Sequence, residues 1–481
     1  MFSPPGTAIL EEEDFAVQER QLLIFFLIGR VLLLWGQFGA AMGFDIGAHQ
    51  EMLGRVSWGI PDAPVREVFY SYHPPLGFLI PRSIELLGVP AALSIQLTSF
   101  LASLFLFFIL RATLLALGFL HRPIGIAFLY LAGSIPLQVF LAHSHNLDVL
   151  VLLFASVVLY TSVRVLWPAG GKRSILDTVL LQVTMVGALS FAMLTKFSGL
   201  LLFSLPPLCA LLARGWKAKV RGMLRAVALC AVALVLVSPY YSMRYYAVEG
   251  TFFPNNGDWM VGEALLNARK MRDEDPGKFL RELFIIPVGH WAGGLIHRDL
   301  DFIRLSDTWR DFWLMPDYLG PNSPLQKRLG SFYYWMVPYF LVVGSSVLWI
   351  FSRQSGVVLQ RTKWRNVFLA EFERVFHWLT RPSSLPLSTW KRFGALLALF
   401  ALVQLCALIF YLYQNPFAGW GPAKGMYVAP VSWLIAYLLA PLFCMPALAP
   451  RCFGERRIAW QRTSLIMLGA IVLLHHALPQ Y

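Results

Sequence analysis

Apolar positions in this chain neither alternate nor form short 3.6-residue stripes; they run in long blocks broken by polar, Pro-rich or basic stretches. A helix of about 20 apolar residues crosses the ~30 Å hydrocarbon layer of a bilayer. About eleven blocks meet that length, at 21–43, 91–117, 124–142, 149–166, 177–194, 198–213, 226–244, 332–351, 393–413, 428–448 and 463–478. In lipid every backbone polar group needs a partner within its own segment, so each block is predicted to be a helix. The expected fold class is all-α integral membrane. Loop 44–90, between the first two spans, is too long for a turn and holds the densest polar, Pro and aromatic residues of the first half.

Composition narrows the function. Charged residues make up 14% of the chain and hydrophobic ones 57%; soluble domains carry about 25% charged residues, so a soluble globular enzyme is excluded. The net charge of +13 invites a nucleic-acid reading, but the basic residues follow the membrane. With the N-terminus placed inside, the clusters Arg214/Lys217/Lys219/Arg221/Arg225, Arg353/Arg361/Lys363/Arg365 and Arg451/Arg456/Arg457/Arg462 fall on inside loops. That bias orients the chain N-inside and C-outside, with anionic membrane lipids rather than nucleic acid as the partner of the charge. Glu11, Glu12, Glu13 and Asp14 make the N-terminus acidic, unlike a cleaved signal peptide. Cys209, Cys230, Cys406, Cys444 and Cys452 lie in or beside spans, so neither a disulfide framework nor a Cys zinc site is expected.

The expected organisation is a cytoplasmic tail (1–20), a catalytic membrane core (21–244) that includes loop 44–90, an outside segment (245–331), and C-terminal helices (332–481). The outside segment opens on FFPNNGDW, continues helically from Gly262 to Glu282 and ends in DTWRDFWLMPDY. Loop 352–392 is basic and amphipathic, as expected of a helix on the inner leaflet.

Five short motifs carry candidate chemistry. In FDIGAHQEM, a helix would put Asp45 and His49 on one face and turn Glu51 elsewhere, giving a carboxylate oriented by an imidazole; the plain alternative is a helix-capping Asp. In YSYHPPLGFL, two prolines fix a corner that presents Tyr72 and His73. HSHNLDVL spaces His145 and Asp148 at i, i+3, which admits a divalent metal without demanding one, and Asn146 and Asp148 also suit caps of the fourth span. LTKFSGLL holds Lys196 in a tight turn, a cation suited to a phosphate or to snorkelling. GWGPAKGMYVAP offers Lys424 and Tyr427 on a Gly- and Pro-rich loop that a ligand can approach. Arg30, inside the first span, has no partner legible in the sequence. No Walker loop, GxGxxG or GxSxG is present, and the acidic strings at 273–275 and 299–301 read as solvated faces.

Taken in order, these pieces resemble the C-type glycosyltransferases, multi-span enzymes that use polyprenyl-phosphate sugars, in the branch of protein mannosyltransferases and lipid A aminoarabinose transferases. The matching positions are Asp45/His49/Glu51, His73-Pro74-Pro75-Leu76, Asn146/Asp148, Thr195-Lys196, and Tyr427 with Pro430. The resemblance covers about 1–210 well and the rest through topology. It implies an inverting transfer of a monosaccharide from a polyprenyl-phosphate donor to a lipid, glycan or protein acceptor on the outer face of a bacterial inner membrane. By position, Asp45 would be the base, Asp148 would support the site, and Lys196 would meet the donor phosphate. Two departures stand out: Met426 precedes Tyr427 where the family often has Arg, leaving Lys424 as a substitute, and no large soluble C-terminal domain is present.

Two other classes compete. Intramembrane acids, histidines and a lysine also serve carriers and lipid flippases; these often show inverted repeats and interrupted helices in both halves, and the sequence displays neither. A cell-surface glycan polymerase or ligase would share the donor chemistry. The carrier reading strings Asp45, His73, Asp148 and Lys196 through the bilayer, and the enzyme reading gathers them at one end.

Overall fold

The computed structural model describes residues 5–36, 38, 46–56, 73–120, 122–144, 146, 148–167, 174–253, 262–284, 302, 304–305, 308–309, 337–338, 340–342, 387–417, 428–444 and 462–470, with side chains in the first helix from residue 17 onward. The described secondary structure is helical, apart from one isolated bridge between Phe302 and Phe417. Among the described residues, five helices are long and apolar enough to cross a membrane: Ala91–Leu117, Asp148–Leu166, Ile175–Thr195, Trp216–Glu249 and Thr389–Gln414. Their apolar side chains point outward as well as inward: Val179, Val183, Leu224, Val235 and Leu236 are all exposed. In water such surface would be a liability, but facing lipid it is required. The protein is an all-α integral membrane protein.

In chain order, α1 is Pro5–Gly36, α2 Ile46–Arg55, α3 Leu76–Glu85, α4 Ala91–Leu117, α5 Pro123–Ser134, α6 Pro136–Leu141, α7 Asp148–Leu166 and α8 Ile175–Thr195. A 3₁₀ segment, Phe197–Ser204, leads into α9, Leu205–Leu211, and then α10, Trp216–Tyr241, which continues through a π segment, Ser242–Tyr246. Two short helices follow, α11 (Glu263–Glu274) and α12 (Pro276–Leu283), then α13 (Leu387–Gln414) and α14 (Val431–Cys444). The central layer is α7, packed between α4 and α8; α10 packs on α8 and α9, α9 reaches back to α7, and α14 runs along α5.

Three expectations are corrected. The block read as one span at 124–142 is broken: Ile135 is extended (φ −60°, ψ 130°) ahead of Pro136, which cannot donate to the preceding turn. Arg30 of α1 fills this break. Its guanidinium donates to the carbonyls of Gly133 (2.6 Å), Gln138 (3.3 Å) and Val139 (3.3 Å) and lies over the Phe26 ring. A buried cation in a span thus bonds carbonyls on both sides of the break, that of Gly133 in the last turn of α5 and those of Gln138 and Val139 in α6. The sixth block likewise begins as 3₁₀ rather than α. Interrupted helices, which the sequence does not display, are therefore present, and both breaks described lie in the N-terminal half. Finally, α10 starts at Trp216, so Lys217, Lys219, Arg221 and Arg225 ride on the helix instead of a loop.

Close contacts fix two of these packings. A Cβ on Gly199 would sit 2.3 Å from the backbone of Ala192, so only glycine lets the 3₁₀ segment fold down against α8. A Cβ on Gly394 would meet the Tyr437 ring at 2.2 Å, which makes the same argument for α13 against α14.

Candidate active site

Asp148 is the first residue of α7, and Asn146 holds it there by accepting a hydrogen bond on Oδ1 from the Asp148 amide at 2.7 Å. The turn leading in is fastened to α4: Ser99 donates to the Asn146 carbonyl (2.9 Å) and Gln96 to that of His143 (3.0 Å). Polar side chains near the start of α4 thereby fix the height of Asp148 in the bundle. A carboxylate at a helix N-terminus is favoured by the partial positive charge of the free amides.

Lys196 is the C-cap of α8, in extended backbone (φ −160°, ψ 148°), where a cation is favoured by the free carbonyls. Packing α7 beside α8 puts the positive end of one helix dipole next to the negative end of the other, each with its complementary charge. The Lys196 Nζ and Asp148 Oδ1 meet at 2.6 Å, with side chains 17% and 7% exposed.

Around this pair lie groups from the first loop. His73 precedes the Pro74-Pro75 corner that starts α3, is buried, and packs against Phe197 with ring centroids 6.3 Å apart. Burial, reinforced by nearby Lys196 and His49, holds its pKa well below the ordinary histidine value, so the ring is neutral at physiological pH. His49 of α2 is buried against Phe78 of α3. Glu51 is not gathered into the cluster; it pairs with Arg55 at 2.7 Å on the solvent side of α2, with about half of each side chain exposed.

Phe197 also touches Tyr241, Tyr245 and Phe253, and the Tyr241 hydroxyl donates to the Met193 carbonyl at 2.8 Å. Within this aromatic floor the π segment carries Arg244, buried and one residue from Tyr245. Sequence reasoning passed over Arg244; the signal was there in a lone cation among the tyrosines of PYYSMRYY at the end of a span.

A small cleft opens beside Asp148, between Val151 and Leu152 of α7, Ser198 and Leu202 of the 3₁₀ segment, Gln404 of α13, and Ala429 and Pro430 ahead of α14. The last two belong to the fifth motif, so the end of that motif joins the third and fourth at one place. Asp45, Tyr72, His145, Lys424 and Tyr427 lie outside the described residues. No group of three or more His, Cys, Asp or Glu side chains poised for a metal occurs among the described residues, and Asp148 is engaged with Lys196.

No protein-family model matches the chain, and no curated protein does. Among solved structures it is similar to the crystal structure of ArnT from Cupriavidus metallidurans bound to undecaprenyl phosphate, with TM-score 0.47 and 15% identity over 95% of this chain and 77% of that one. The apo form of the same protein gives TM-score 0.39 and 16% identity over 90% and 80%. Likeness at this level does not reach the placement of side chains.

Proposed function

We propose that this protein is an inverting glycosyltransferase that moves a monosaccharide from a polyprenyl-phosphate carrier to a lipid, glycan or protein acceptor on the outer face of the membrane, in a bacterial inner membrane. The observation that carries the reading is the gathering of His49, His73, Asp148 and Lys196 at one end of the helices, beside a cleft. A carrier would spread such groups through the bilayer depth. The motif order from Asp45 to Pro430 supports the same class.

In this reading the donor phosphate docks on the Lys196 ammonium while Asp148, bound to the same nitrogen, fixes the side chain. The acceptor hydroxyl oxygen attacks the anomeric carbon as the bond from that carbon to the phosphate oxygen breaks. The acceptor proton passes to the Asp45 carboxylate, and the bonding electron pair leaves on the phosphate, whose added charge faces Lys196. Neutral His73 donates or accepts a hydrogen bond beside the phosphate without adding charge. A single displacement inverts the anomeric configuration, and the apolar helix faces accommodate the prenyl tail. Lys424 and Tyr427 would close the donor side, with Tyr72 beside His73. A divalent ion, if used, would draw on His145 and Asp148.

The interrupted helices α5/α6 and 3₁₀/α9 favour a carrier as the second reading, since broken helices line transport pathways. A transfer assay in membranes containing the protein separates the two, with radiolabelled undecaprenyl-phosphate hexoses and Asp45→Asn as control. Label reaching a lipid or glycan acceptor with the wild type alone is the expected result. No transfer from any donor, together with uptake or lipid scrambling in vesicles, would replace the enzyme with the carrier.

A further inference from the structure

Gln404 sits in the middle of α13, in one of the most apolar stretches of the chain, and is only 3% exposed. A glutamine amide brings two donors and a carbonyl acceptor into a place without water, and such groups are normally used up on neighbouring helices. Two other buried glutamines behave that way. Gln96 donates to the His143 carbonyl, and Gln138 donates to Ser432 Oγ at 2.9 Å, tying α6 to α14. Gln404 has no hydrogen-bond partner among the described residues. Instead it lines the cleft that begins at Asp148, together with Ser198, whose hydroxyl also makes no hydrogen bond to another described residue.

The cleft therefore has two chemical parts. One end carries charge, with the Asp148 carboxylate bound to Lys196. The rest offers an uncharged amide and a hydroxyl set in aliphatic walls from Val151, Leu152, Leu202, Ala429 and Pro430. Uncharged donors and acceptors on an otherwise apolar wall match a sugar ring, which presents hydroxyls at its rim and C–H groups on its faces.

We propose that Gln404, with Ser198, forms the subsite that binds the hydroxyl groups of the transferred sugar. This rests on the glycosyltransferase reading: a phosphate held at Lys196 leaves its sugar one bond away, in the same cleft. Gln404 then sets which sugar is accepted, because an amide left without its hydroxyl partner in a buried site penalises an analogue that lacks that hydroxyl.

The test is binding, measured by displacement of radiolabelled undecaprenyl phosphate from purified protein in nanodiscs. The competitors are unlabelled undecaprenyl phosphate and its glucose, mannose and 4-amino-4-deoxyarabinose conjugates. In the wild type at least one conjugate should bind tenfold or more tighter than the bare carrier. Gln404→Met, close in volume and apolar, should remove most of that increment while bare-carrier affinity stays within about twofold; Gln404→Asn should keep part of it, and thermal melting of both variants verifies folding. An increment intact in Gln404→Met overturns the proposal and leaves the transferase reading standing. The proposal falls in the same way if the carrier binds but no conjugate gains over it. If the bare carrier does not bind at all, the transferase reading fails and takes this inference with it.

Discussion

Among the described residues two acid–base pairs join helices, near opposite ends of α4, and they differ in what they leave over. Near the far end of α4, Arg111 clasps Glu19 of α1 with two nitrogens on two oxygens, at 2.7 and 3.3 Å, and the Tyr130 hydroxyl bonds the Glu19 carbonyl at 3.1 Å. Both carboxylate oxygens are occupied, and the three helices α1, α4 and α5 are tied. At the near end, Asp148 gives one oxygen to Lys196, its other oxygen meets no donor among the described residues, and a cleft opens beside it. A saturated bidentate pair acts as a strut. A carboxylate bonded through one oxygen at the mouth of a cleft retains capacity for a third party.

That contrast predicts opposite phenotypes. Lys196→Met should lower kcat/KM for transfer by about 10²–10³, the usual loss when one donor to a developing oxyanion is removed. Asp148→Asn, which keeps shape but drops the charge that fixes the lysine, should lose less, and the double variant should be no worse than Lys196→Met alone if the two act as a unit. Folding should be affected modestly by either change, because α7 and α8 are held by their apolar packing. Activity that persists in Lys196→Met at a fifth or more of wild type would strip this pair of its catalytic role.

The strut should break in the other direction. Arg111→Met leaves the Glu19 carboxylate, 3% exposed, without its cation, at a cost of roughly 3–5 kcal/mol. Glu19→Gln leaves an arginine that is a third exposed and can turn to water, so about 1.5–3 kcal/mol is expected. Thermal melting in nanodiscs reads both, and transfer per folded molecule should stay near wild type. Equal destabilisation by the two substitutions would mean that burial does not govern the cost.

Why the sequence displayed one pair half and the other not at all follows from range. Lys196 and Asp148 were each legible, as ionisable residues beside apolar blocks, but their meeting across 48 residues is a product of packing α7 on α8. Glu19 and Arg111, 92 residues apart, carry no motif, and their meeting depends wholly on the packing of α1 against α4. Long blocks such as Ala91–Leu117 were read correctly to the residue, since length and apolarity suffice. The break at Pro136 escaped because apolarity runs through it unchanged, and the 3₁₀ start of the sixth block because a close glycine contact sets it. Gln404 escaped for the opposite reason: one polar residue in a span is usually spent on another helix.

The break itself sharpens the comparison, since Arg30 is a buried cation with carbonyls for partners instead of an acid. Arg30→Met removes a donor from three carbonyls; that of Val139 keeps the Ala142 amide, so the cost is about 1–3 kcal/mol for each of the other two at most, before relaxation. Lysine at the same place, with a single ammonium, should recover part of the loss. A variant with methionine that melts at the wild-type temperature would show that lipid or water reaches the break and makes the arginine dispensable.

The smallest effect concerns pH, and it separates the two ends again because the histidines gather at the near one. His73 has its pKa lowered by burial first and by Lys196 and His49 second, relative to an ordinary value of 6.5. Above pH 6.5 both folded and unfolded chains carry it neutral, and it makes no difference to stability. Below that value the unfolded chain takes up the proton before the folded one does, so stability falls as pH drops towards the depressed folded value. His143, buried in the turn ahead of α7 and shifted the same way, adds to the slope. His73→Gln should therefore flatten, without abolishing, the fall in melting temperature between about pH 6.5 and 5, while leaving the value at pH 7.5 nearly unchanged. The Glu19→Gln variant, altered at the strut instead, should keep the wild-type slope on that acid limb. A His73→Gln protein whose acid limb is as steep as the wild type would mean that the ring takes up its proton in the folded state, and neutral His73 could no longer sit beside the phosphate as described.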